Sequence, residues 1–148
     1  MKAFSFRLDR LLRLKADAEQ QQARVMGNAA REEAVLDQLC VDQAGYVAEV
    51  GVRASPRAGQ PTSAGVLRAL HLTTLAARNQ LADAERARVE ARTLADTERA
   101  RLSEARRERR TLERLKENQK AAWGQDLVRD ERKTMDEVAS RARGNPNR

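Results

Sequence analysis

The chain has 148 residues, of which 3% are aromatic and 34% charged, and it carries a net charge of +7. One Trp, one Tyr and two Phe cannot fill a globular interior, and the lone Cys40 and His71 exclude an internal disulfide and a structural zinc site. No apolar run approaches the ~20 residues of a membrane span, and no signal-peptide stretch follows Lys2. A soluble cytoplasmic protein without direct membrane insertion, built as one thin coiled coil, is the expectation.

Proline divides the chain. Pro56 and Pro61 lie in the segment Ala54–Ser63 and leave long proline-free stretches on either side. A proline inside a helix costs about 3 kcal/mol, so each stretch is free to be one helix. Both are rich in Ala, Leu, Arg, Glu and Gln, the better helix formers. The spacing predicts a helix over about 6–53, a turn over about 54–63 and a helix over about 64–142. A short disordered tail follows, starting at the stop Gly144-Asn145-Pro146. Ser5 is expected to cap the first helix, and Thr62 or Ser63 the second. The fold class is all-α: one domain over 1–148, a long antiparallel two-helix coiled-coil hairpin with a C-terminal helix overhang.

In the first stretch a 3,4 spacing runs through Leu8, Leu11, Lys15, Ala18, Gln22, Val25, Ala29, Glu32, Leu36, Leu39, Gln43, Tyr46 and Val50, and nine of these thirteen are apolar. In the second it runs through Leu67, Leu70, Thr74, Ala77, Leu81, Ala84, Arg88, Ala91, Ala95, Glu98, Leu102, Ala105, Arg109, Leu112, Lys116, Gln119 and Trp123, eleven of seventeen apolar. Seven-residue repeats of this kind imply a left-handed supercoil. Alanine lets the helices approach closely but buries little, so the seam is expected to be marginal. Folding back about the turn sets Val50 near Leu67, Tyr46 near Leu70, Leu36 near Leu81 and Leu8 near Arg109. Beyond about Leu112 the second helix then has no partner, although it still carries Trp123, Leu127, Val128, Met135 and Val138.

Charge is uneven. Residues 1–55 hold eight basic and eight acidic side chains, and the whole excess lies in 56–148. Between Arg99 and Lys120 nine basic residues face four acidic ones, which suits an acidic protein surface. Nine i,i+3 pairs, among them Asp83/Arg86, Glu98/Arg101, Glu113/Lys116 and Asp130/Lys133, read as solvated helix surface. No phosphate-cradling loop, catalytic constellation or cofactor motif is present, so no enzyme and no cofactor is expected. Acidic residues interrupt the basic run Arg106–Arg110 and no aromatic platform accompanies it, which argues against nucleic acid. The overhang and the arginines before it mark the partner-binding candidates: Phe4, Phe6, Arg106, Arg107, Arg110, Arg114, Trp123, Leu127, Val128 and Arg132.

The opening Phe4-Ser-Phe-Arg-Leu-Asp-Arg-Leu-Leu12 with Lys15 and Glu19, and the closing Leu112-Glu-Arg-Leu-Lys116 and Glu131-Arg-Lys-Thr-Met-Asp-Glu-Val-Ala139, resemble the flagellar FliJ family of the type III export apparatus. The resemblance covers nearly the whole chain. It implies an antiparallel two-helix coiled coil similar to the stalk of rotary ATPases, and the matching heptads of the two halves make a monomer the expectation. It further implies insertion of the terminal end into the hexameric flagellar export ATPase, promotion of ring assembly and activity, a link to the export gate membrane protein, and escort of export chaperones. By position along the hairpin, Leu39, Tyr46, Leu70 and Leu75 are the candidates for contact with the gate. Such a protein is cytoplasmic and peripherally associated with the membrane export apparatus. Injectisome stalk proteins share this architecture. A generic coiled-coil adaptor and a basic nucleic-acid-binding helix pair remain the alternatives.

Overall fold

The computed structural model describes residues 3–55 and 62–143. Pro56 and Pro61, most of the expected turn and the expected tail after Arg143 lie outside the described residues. Two helices, α1 (Asp9–Ala54) and α2 (Ala64–Arg143), pack against each other as a hairpin, and no strand occurs among the described residues. The start of α1 differs from the sequence reading. The Phe6 carbonyl accepts the Asp9 N–H at 3.1 Å, so a turn at Phe6–Asp9 opens the helix rather than a cap at Ser5. Asp9 then lies in the first helical turn, where a negative charge suits the helix dipole. Ser63 caps α2, its Oγ accepting the Val66 N–H at 3.3 Å.

The chain divides into two compact units, Gln20–Ser103 on the turn side and Met1–Glu19 with Glu104–Arg148 at the termini. In the turn-side unit the inward row of α1 is Gln22, Met26, Ala29, Glu33, Leu36, Cys40, Gln43, Val47, Val50 and Ala54. This corrects half of the sequence register. Gln22, Ala29, Leu36, Gln43 and Val50 face inward as expected, but the alternate places belong to Met26, Glu33, Cys40 and Val47. Val25, Glu32, Leu39 and Tyr46, one residue earlier, are exposed.

On α2 the expected row holds from Leu70 to Lys116, whereas its members Leu67, Gln119 and Trp123 are exposed. Ala77, Ala84, Ala91, Ala95, Glu98 and Leu102 are all buried, with Leu70, Thr74 and Leu81 half-buried in the same row. Arg88 departs from it: it is exposed, and Ala87 is half-buried in its stead. Four alanines in succession along this row leave room for close helix approach but supply little apolar area per layer. One polar layer crosses the seam. Gln22 Nε2 donates to Glu98 Oε2, and Arg101 Nη1 donates to Glu98 Oε1 at 2.7 Å. The buried carboxylate is therefore met from both sides, which makes its burial tolerable.

In the terminal unit the half-buried residues include Leu12, Lys15 and Glu19 on α1 and Ala105, Arg109, Leu112 and Lys116 on α2. Here the expected pairing is shifted along α2. Asp9 bonds to Lys116, not to the neighbourhood of Arg109, and Lys15 bonds to Glu108. The shift has a visible cause at the other end of α2, where every described residue from Thr62 to Ala69 is exposed and Leu70 is the first to be half-buried. The opening turns of α2 contribute nothing to the seam, so each α1 residue meets one lying further along α2. Consequently Leu112 is not the last partnered residue.

Candidate functional site

The N-terminal segment before α1 folds onto α2 within the terminal unit. Phe6 is buried at 6% exposure, and the Lys116 Nζ sits 5.8 Å from the centre of its ring. The same ammonium donates to Asp9 Oδ1 at 2.7 Å. Further along, the rings of Phe4 and Trp123 meet in a tilted pair with centroids 6.1 Å apart. Trp123, expected to stand uncovered, is thus partly covered by this chain's own N-terminus and remains 37% exposed.

The arginines of this region fall into two groups. Glu19 accepts from Arg109 and pairs with Arg106 at 3.5 Å, and Arg109 also donates to Glu113. Arg107, Arg110, Arg114 and Arg132 are exposed, and their guanidinium groups make no ion pair or hydrogen bond among the described residues. Of the expected i,i+3 pairs, Asp83/Arg86, Asp96/Arg99, Glu98/Arg101, Asp126/Arg129 and Asp130/Lys133 form. Lys116 and Arg88 instead cross to α1, meeting Asp9 and Asp37. The unpaired arginines, with their charge uncommitted, are the ones able to meet an acidic partner.

Beyond Trp123 the helix continues to Arg143. Leu127 is half-buried, whereas every residue from Val128 to Arg141 is exposed. Val128 (45%), Met135 (73%) and Val138 (60%) present apolar side chains to solvent. On the turn side Leu39, Tyr46 and Leu75 are exposed and Leu70 is half-buried. Exposed Val35, Val41, Val52 and Leu72 join this apolar population. Sequence reasoning passed over them because they fall outside the chosen heptad row. An excess of β-branched residues off the seam was the available signal.

The ion pairs shift the titration of their carboxylates. Hydrogen bonds from Lys116 and then Arg13 hold Asp9 below its ordinary value of 3.8. The Arg109 hydrogen bond holds Glu19 below 4.5, and Glu19 in turn raises Arg109. Arg99 is likewise raised, chiefly by Glu33. A carboxylate with a depressed folded value contributes stability that is fully present above its unfolded value and lost as pH falls through the folded one. Trp123 fluorescence should therefore stay constant from neutrality down to about pH 5 and change only below about pH 4. A transition centred near pH 6 would contradict this assignment.

Among the described residues no group of three or more His, Cys, Asp or Glu is placed to hold a metal, and no helix is long and apolar enough to cross a membrane. Comparison with known proteins gives one result. The family model described as Flagellar FliJ protein matches residues 4–148. No curated protein and no solved structure matches.

Proposed function

The chain belongs to the flagellar FliJ protein family, and on that premise we propose that it is the coiled-coil stalk of the flagellar export ATPase ring. Family membership makes it a flagellar export component. In the proposed role its terminal unit enters the hexameric ATPase, promotes ring assembly and turnover, and leaves the turn-side unit to contact the export gate and chaperone cargo. The observation that carries this reading is the exposed run of α2 after Trp123, where Val128, Met135 and Val138 lie in water. Apolar side chains of this size are worth covering, at roughly 1.5–3 kcal/mol for each one fully buried. Arg107, Arg110 and Arg114, exposed and unpaired, supply the charge to orient an acidic ring interior. On the turn side we assign Leu39, Tyr46, Leu70 and Leu75 to the gate.

The test is turnover by purified export ATPase with and without the full chain. Stimulation together with a shift toward hexamers is the expected outcome. An unchanged rate with no such shift would favour a generic adaptor. Reversing Arg107 and Arg110 to Glu should slow association severalfold at low salt, with the difference shrinking once the Debye length falls to about 8 Å near physiological ionic strength.

A further inference from the structure

Within the turn-side unit α1 carries two rows of side chains that are equivalent as seams. The row facing α2 is Met26, Glu33, Cys40 and Val47; the exposed row is Val25, Glu32, Leu39 and Tyr46. Each has three apolar side chains and a glutamate in second place. The rows are offset by one residue throughout, and both use Gln22, Ala29, Leu36, Gln43 and Val50 as the other half of the seam. Exchanging them takes a turn of α1 about its own axis through less than the ~100° that separates consecutive residues.

Three observations bear on how firmly the described arrangement is held. The buried α2 residues opposite are largely alanine, with Ala77, Ala84, Ala91 and Ala95 at 8% exposure or less, so along this stretch few bulky knobs oppose a rotation of α1. Gln43 Oε1 is buried without a hydrogen-bond partner among the described residues, so no bond to this acceptor holds α1 in the described rotation. In its favour, Arg99 Nη2 donates to Glu33 Oε2 at 2.9 Å, whereas Glu32 in the alternative row is exposed and unpaired.

We infer that α1 has two seam states here: the described one, and a second in which Val25, Leu39 and Tyr46 replace Met26, Cys40 and Val47 against α2. Leu39 and Tyr46 are exposed in the first state and buried in the second.

Cys40 reports the exchange directly, because its thiol is buried in the first state at 5% exposure and leaves the seam in the second. The experiment measures the rate of Cys40 alkylation by a maleimide on the full chain alone, across a range of urea below the unfolding transition. Glu32→Leu improves the second seam and should speed alkylation about fivefold or more. In both the wild type and Glu32→Leu the rate should stay flat with urea, since rotation exposes little surface compared with unfolding. An unchanged or slower rate in Glu32→Leu overturns the two-state seam. So does a wild-type rate that rises with urea as steeply as global unfolding.

Discussion

Val128→Asp combined with Val138→Asp should weaken binding of the export ATPase by tenfold or more, with helicity by circular dichroism unchanged. Both side chains are exposed in α2, at 45% and 60%, and no described residue of α1 lies against them, so the chain's own fold loses nothing when they become charged. If a partner covers them, each substitution forfeits roughly 1.5–3 kcal/mol of burial, and about 1.4 kcal/mol is a factor of ten. It also places a charge in a desolvated contact. Trp123→Ala is a different experiment. Because Phe4 packs on the Trp123 ring, that substitution loosens the terminal unit as well as any interface. Normal binding by the double Asp variant, and by a chain truncated after Lys120, would remove the overhang from the interface.

The second large effect is on stability. Leu102 is 3% exposed and is the largest buried apolar side chain of the turn-side unit among the described residues. It follows a run of buried alanines, so it supplies a disproportionate share of that unit's apolar area. Leu102→Ala should cost about 2–5 kcal/mol, the range for a buried leucine. For a chain of this size that lowers Tm by about 2–4 °C for each kcal/mol. Leu94→Ala is the control, since Leu94 lies eight residues earlier on the same helix yet is 48% exposed. It should shift Tm by little. Equal losses at the two positions would mean that the α2 register is misassigned.

Much of this fold was legible because proline and alanine act locally. The proline-bounded stretches became the two helices, and the α2 heptad row from Leu70 to Lys116 faces inward with Ala87 displacing Arg88. The α1 row was misread by one residue for a physical reason. Counting apolar residues preferred Ala18 to Glu19 and left Glu32 and Glu33 undistinguished. The fold seats Glu19 and Glu33 beside the seam because Arg109 and Arg99 reach across to them. Cross-helix ion pairs are a tertiary property, invisible to a count made on one helix. The pairing of the helices was misread because helix ends were assumed to meet at the turn, whereas Thr62–Ala69 stay exposed. At the candidate site, the tie of Phe6 and Asp9 to Lys116 escaped notice because it joins residues more than a hundred positions apart.

That separation also sets an order of assembly. The cross-helix bonds span 66 residues at Glu33–Arg99, 76 at Gln22–Glu98, 93 at Lys15–Glu108 and 107 at Asp9–Lys116. Loop-closure entropy rises with each step outward, though slowly, so pairing nearest the turn closes first and the N-terminal segment docks last. During synthesis the contrast is sharper. Phe4 and Phe6 are synthesised more than a hundred residues ahead of Lys116 and Trp123. At about 5–20 residues per second that is an interval of about 5–20 s. For that time the two phenylalanines lack the α2 residues they dock on, Trp123 for Phe4 and Lys116 for Phe6.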